Sequence, residues 1–144
     1  MVENLASKGG GLEIVNSELL VRDSKFLSNT ASQGGVVFAI QKTLFVITTS
    51  LLEDNTADDG GIVYSMSNQV SATSTSQFIP LRDDNGELLP SLRFNMTDIK
   101  GNFSKQNLIH ILLSSMIIEK STLSDNYAIF VTHGITLISS QLWV

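Results

Sequence analysis

The sequence predicts an all-β fold, a parallel β-helix: a solenoid of roughly 25-residue coils with a small β insertion. Three observations predict it. Ser24, Phe26, Asn29, Ala31, Gly34 and Gly35 reappear 26 residues later as Ser50, Leu52, Asn55, Ala57, Gly60 and Gly61. Apolar residues beside these motifs alternate, as in Leu19 and Val21, or Phe45 and Ile47. That is the period of two that strands require, and the Val, Ile, Phe and Leu content agrees. Helical solenoids use longer periods and spacings of three and four, which do not occur here.

Taken along the chain, the first coil is marked by Asn4, Ala6, Gly9 and Gly10, which precede Asn29, Ala31, Gly34 and Gly35 by 25. The second and third coils carry the pattern quoted above. A weaker copy follows Phe45, Ile47, Ser50, Leu52, Asn55 and Ala57 by 71 residues, as Met116, Ile118, Ser121, Leu123, Asn126 and Ala128. Val131 and Thr132 stand there in place of the glycine pair. This divides the chain into coils over 1–65, an insertion over 66–101 and further coils over 102–144. The insertion begins with the polar run Ser67 to Gln77, read as an exposed loop. Asn85–Gly86 between Leu81 and Leu88 signals a hairpin. Leu92, Phe94 and Met96 alternate as a strand, and Asp98 to Asn102 reads as a turn. Pro80 and Pro90 are expected at the edges of the insertion or on edge strands.

Each repeated residue has a physical role in such a solenoid. Three short strands per coil, stacked at about 4.8 Å, give three parallel sheets. Phe26, Leu52 and Leu123 are expected to stack in one interior column, and Val21, Ile47 and Ile118 in another. Asn29 and Asn55 suit a turn that stacks on its own copy, because Asn tolerates the left-handed region and its amides can bond along the stack. Ala31, Ala57 and Ala128 fit a turn with little room. The pairs Gly9–Gly10, Gly34–Gly35 and Gly60–Gly61 suit a corner with positive φ or close backbone approach.

Composition removes several function classes. The net charge is −5 and the nine Lys and Arg are scattered, which argues against nucleic-acid binding. There is no cysteine, hence no disulfide and no thiolate zinc site. His110 and His133 are not at metal-ligand spacing, and no metal or other cofactor is expected. No secretory signal is visible, and the most apolar stretch, Leu108 to Ile118, is too short to span a membrane. No catalytic residues can be assigned. Asp58–Asp59 read as a solvated turn, Asp83–Asp84 as part of a hairpin loop, and His110 as a satisfied or outward-facing residue on a strand. Sequons at Asn95-Met96-Thr97 and Asn102-Phe103-Ser104 make both asparagines candidates for glycosylation.

The stretches from Phe26 to Val36 and from Leu51 to Ile62 resemble the FxxN and GGA[IV] repeats of chlamydial polymorphic outer membrane proteins. They also look similar to repeats in large protist surface proteins, including those of ciliates. The resemblance covers Asn4 to about Tyr64, and Asn107 to Ala128 more weakly. Val36 and Ile62 follow the glycine pairs where that family has Ala. The resemblance implies a right-handed, pectin-lyase-like β-helix in an extracellular or cell-surface adhesin-like protein. The expected function is therefore non-enzymatic and structural or adhesive, with a carbohydrate-active lyase or hydrolase fragment as the alternative. The expected partners are further coils of the same protein, or another copy end to end, and a cell-surface protein or glycan. No cap is visible at either end, so the chain reads as a piece of a larger surface protein.

Overall fold

The computed structural model describes residues 1–66, 81–82, 84–85, 88–89, 91–112, 114–129, 135–138 and 141–143. The described residues are all-β, a parallel β-helix. The first four coils each contribute four strands where three were expected, and the last contributes three among the described residues. The first sheet stacks β1 (Leu5–Lys8), β5 (Thr30–Gln33), β9 (Thr56–Asp59), β15 (Phe103–Ser104) and β19 (Tyr127–Ala128). The second stacks β2 (Leu12–Val15), β6 (Val37–Ile40), β10 (Val63–Met66), β16 (Ile109–Leu112) and β20 (Ile135–Ile138). The third stacks β3 (Glu18–Arg22), β7 (Leu44–Thr48), β13 (Ser91–Asn95), β17 (Ser115–Glu119) and β21 (Gln141–Trp143). The fourth stacks β4 (Lys25–Leu27), β8 (Leu51–Glu53), β14 (Asp98–Lys100) and β18 (Thr122–Ser124). All pairings within these sheets are parallel.

The extra strand arises because single residues in the left-handed region bend the coil on both sides of the fourth sheet. Asp23, Thr49, Met96 and Lys120, at φ 48, 51, 47 and 50, separate the third sheet from the fourth. Glu3, Ser28, Asp54, Gly101 and Asp125 separate the fourth sheet from the first. The left-handed residue is thus the one before each repeated Asn, not the Asn itself. A bent residue leaves the next one facing inward, where its side chain must satisfy buried backbone groups.

The core follows the expected columns, with one coil more than the repeated motifs mark. Val21, Ile47, Phe94 and Ile118 are in register, as are Leu19, Phe45, Leu92 and Met116. Phe26, Leu52, Ile99 and Leu123 form the third column. Phe45, Ile47, Leu52, Leu92, Phe94, Ile99 and Met116 are fully buried. At ~1.5–3 kcal/mol for each such side chain, these columns are the main support of the fold. Leu123, in the last strand of its sheet, is 40 % exposed.

The boundary of the insertion moves accordingly. Coils resume at Ser91 rather than at residue 102, because β13 lies between β7 and β17. Asp98–Lys100 is a strand, not a turn, and Met96 is a bend residue, not part of a strand. Met66 likewise belongs to the coils, paired with Ile40. The hairpin stands: β11 (Leu81–Arg82) and β12 (Leu88–Leu89) pair antiparallel around the turn at Asp84 and Asn85. The polar loop of Ser67 to Gln77, both prolines, Asp83, Val131, Thr132 and His133 lie outside the described residues.

Candidate functional site

Most of the repeated polar residues meet inside the helix, where they serve the backbone. Asn4, Asn29, Asn55, Asn102 and Asn126 form one continuous amide ladder. Each Nδ2 donates to the Oδ1 of the next coil, at 2.7, 2.8, 2.9 and 2.9 Å. Each backbone N–H from Asn4 to Asn102 donates to that same Oδ1 at 3.0–3.2 Å. The second Nδ2 hydrogen of Asn55, Asn102 and Asn126 goes back to the carbonyl of Phe26, Leu52 and Ile99. The amides of Asn29, Asn55 and Asn102 and the carbonyls of Phe26, Leu52 and Ile99 are thereby paired, and Asn is the only neutral side chain offering both a carbonyl and two donors at this reach, apart from the longer Gln.

Asn102, one of the two candidates for glycosylation, stands in the ladder. It is completely buried. A sugar on its Nδ2 would break bonds to Asn126, Leu52 and Lys100 and would have to lie in the core. Asn95 stands on the third sheet between Thr48 and Glu119 and is half-buried, with its Oδ1 enclosed and unpartnered. Ala31, Ala57 and Ala128 are in register with Ser104 between the last two.

The glycine pairs divide their two roles. Gly9, Gly34 and Gly60 have φ of 55, 68 and 65. Gly10, Gly35 and Gly61 do not, and they are needed for space. A Cβ on Gly10 would sit 2.5 Å from the carbonyl oxygen of Gly35, and one on Gly61 would sit 2.5 Å from that of Phe103. On Gly35 it would strike the carbonyl of Gly61. In the fourth coil the corner is one residue shorter: Ala57 is in register with Ser104, 47 residues on, but Val63 with Ile109, 46 on. Lys105, Gln106 and Asn107 replace the longer glycine corner there.

This altered corner holds a polar cluster with a chemical character of its own. Asp59 Oδ2 and His110 Nδ1 are 2.6 Å apart, with side chains 14 % and 16 % exposed. Asn107 donates to Asp59 Oδ1 from Nδ2 at 2.8 Å and from its backbone at 3.3 Å. Burial pushes the Asp59 carboxyl upward, but the hydrogen bonds from His110 and Asn107, with the charge of His110, leave it below its ordinary value. Tyr64 packs on the imidazole at 4.7 Å between ring centres and stacks on Phe38 at 5.5 Å on its other side. Burial, then the charge of Asp59, pushes the Tyr64 phenol upward, against a hydrogen bond with Gln33. Lys8 lies 4.8 Å over the Phe38 ring.

Asp59 is therefore not a solvated turn residue, while Asp58 is half-exposed and pairs with Lys105 at 2.6 Å. Sequence reasoning missed the Asp59–His110 pair because the two are 51 residues apart. Placing Asn102 in the ladder and shortening the next corner by one residue puts His110 beside Tyr64. Chemically, an oriented imidazole could move a proton. Yet no third acidic or histidine side chain joins it in a metal-holding group among the described residues. The outward registers are mixed in kind, such as Lys25, Leu51, Asp98 and Thr122, or Arg22, Thr48, Asn95 and Glu119. No helix among the described residues is long and apolar enough to cross a membrane, which leaves strands out of account. No family model, no curated protein and no solved structure matches this chain.

Proposed function

We propose that the chain is a non-enzymatic structural or adhesin-like β-helix segment of an extracellular or cell-surface protein. The observation that carries this reading is where the repeated residues spend their chemistry. The Asn ladder, the glycine corners and the apolar columns all face the backbone or the core. β-Helix enzymes acting on glycans work through carboxylates gathered on one outward face. No group of three or more acidic or histidine side chains among the described residues is placed to hold a metal ion, and Asp59 is committed to His110 and Asn107. A rigid rod with varied outer side chains suits spacing and surface contact.

The pectin-lyase-like, carbohydrate-active alternative is decided by the same experiment. The protein is incubated with polygalacturonate, xylan and host-type glycans, and both bond cleavage and retention on immobilised glycans or cells are measured. Saturable retention without cleavage is expected. Turnover that disappears in Asp59→Asn would replace this reading with the enzymatic one.

A further inference from the structure

The third sheet turns one face outward, and that face carries charges that the coil itself leaves unpaired. Leu20, Val46, Arg93 and Ile117 form one outward row across four coils. Arg22, Thr48, Asn95 and Glu119 form the next. The bend residues Asp23, Thr49, Met96 and Lys120 continue it as a third row. The first of these coils places Arg22 beside Asp23, and the fourth places Glu119 beside Lys120. All four side chains are exposed, and none of them is ion-paired among the described residues. The two pairs stand three coils apart, about 14 Å, which is too far for them to meet within one chain.

Each pair is the opposite of the other in sign and keeps the same order along the strand. A face with that property is complementary to itself. Consider a twofold axis parallel to the strands, midway between the second and third coils. It carries the first coil onto the fourth and the second onto the third. It sets Arg22 against Glu119 and Asp23 against Lys120, each twice. It also sets Leu20 against Ile117, and Val46 against the apolar stem of Arg93. A hollow of about 290 Å³ bounded by Leu20, Leu44 and Val46 lies where those two side chains of a copy arrive. An axis along the solenoid, through the row of Leu20, would instead put Arg93 on Arg93 and leave Glu119 and Lys120 without opposite charges.

From this self-complementarity we infer that the outward face of the third sheet binds a second copy of the chain side by side, with the two solenoids antiparallel. This goes beyond the adhesive reading and is carried by outward side chains alone. The contact is isologous, so it closes as a dimer. The face measures about 19 by 17 Å over four coils. That is well under the ~800 Å² per partner of a standard interface, so the dimer is a weak one.

Sedimentation equilibrium at up to about 1 mM protein tests this, a range chosen for a contact of that size. The protein is produced unglycosylated, because Asn95 stands in this face and is a candidate for glycosylation. The variants are Arg22→Glu and Glu119→Arg, both at exposed positions. Circular dichroism, unchanged in the β region, shows that their coils are intact. The wild type is expected to reach a monomer–dimer equilibrium that weakens in about 1 M salt. Each variant alone sets like charges opposite one another and is expected to dimerise at least about tenfold more weakly. An equimolar mixture is expected to recover the wild-type affinity. One chain is then negative at both positions and the other positive at both, so every facing pair is again of opposite sign. A wild type that stays monomeric at the highest concentration would overturn the inference. So would either variant dimerising like the wild type, or a mixture that associates no better than its components.

Discussion

Two corners of the same coils solve the same problem in opposite ways. At the bend into the first sheet, one residue type serves five successive coils: Asn4, Asn29, Asn55, Asn102 and Asn126. At the bend out of it, a glycine pair serves three coils, and the fourth abandons it for Lys105–Gln106–Asn107 and the Asp59–His110 pair. The difference lies in what each corner must supply. The Asn corner must provide two donors and an acceptor, and among neutral side chains only a primary amide supplies all three. The glycine corner must provide room, and room can also be made by shortening the turn. A need for chemistry fixes the residue, whereas a need for space leaves the solution open.

The largest expected effect follows from the first half of that statement. Asn55→Leu keeps the volume and removes the amide. It strips the acceptor from Asn29 N–H and Nδ2, and the donor from Phe26 C=O, all buried. At ~1–3 kcal/mol for each buried group left unpaired, the loss should reach about 4 kcal/mol and unfold the middle coils. Urea melts followed by circular dichroism would measure it. A loss under about 1 kcal/mol would mean that the ladder is replaceable and that the two corners do not differ in kind.

Space should come second. A Cβ at Gly61 meets the Phe103 carbonyl oxygen, and neither backbone can move far while both strands stay paired. Gly61→Ala should cost about 2–3 kcal/mol, the range for overpacking. Gln106→Ala, an exposed position in the glycine-free corner, should stay within about 0.5 kcal/mol in the same melts. If the two substitutions cost the same, the fourth coil has not escaped the constraint.

The same contrast explains what the sequence made legible. The parallel solenoid, the three strong coils and the hairpin of β11 and β12 could be read because their signals are whole motifs at a fixed offset. The fourth coil was written as plainly: Leu92, Phe94, Thr97, Ile99, Asn102 and Ser104 match the spacing of Phe45, Ile47, Ser50, Leu52, Asn55 and Ala57. It was hidden by three conservative exchanges, Thr for Ser, Ile for Leu and Ser for Ala, and by the missing glycines. Asn102 also fell inside a sequon, and the Lys100-Gly101-Asn102 run mimicked a turn. Glycine at position 101 holds the bend that Asp54 and Asp125 hold in the neighbouring coils, so it signals a bend within a coil rather than the end of one. The Asp59–His110 pair was illegible until that coil was placed, because a contact between coils depends on the register of both.

The clasp in the altered corner should be weaker than the amide ladder and should respond to pH. The Asp59 carboxyl is held below its ordinary value of 3.8 in the folded protein. Its stabilisation is therefore fully present above that value and is lost as pH falls through the lower folded value. Asp59→Asn should cost about 1–2 kcal/mol at neutral pH, in the range of a charge-assisted hydrogen bond. It should also flatten the dependence of stability on pH below about 4. Melts of both proteins from pH 2 to 7 would show curves that converge at the acid end. Curves that stay parallel throughout would mean that the carboxylate contributes nothing through its charge.

The smallest effect lies one residue away and marks the limit of what this corner's charges do. Asp58 and Lys105 join the third and fourth coils at 2.6 Å, but their side chains are 50 % and 59 % exposed. Water screens such a pair, and holding two long side chains in one geometry costs entropy. Lys105→Ala should therefore change stability by about 0.2–1 kcal/mol at low ionic strength. In about 1 M salt, where the screening length falls to about 3 Å, the change should vanish. The more enclosed Asp59–His110 pair should keep most of its contribution under the same conditions. If salt removed both equally, the corner's polar residues would all be surface charges, and the fourth coil would hold its shape by the short turn alone.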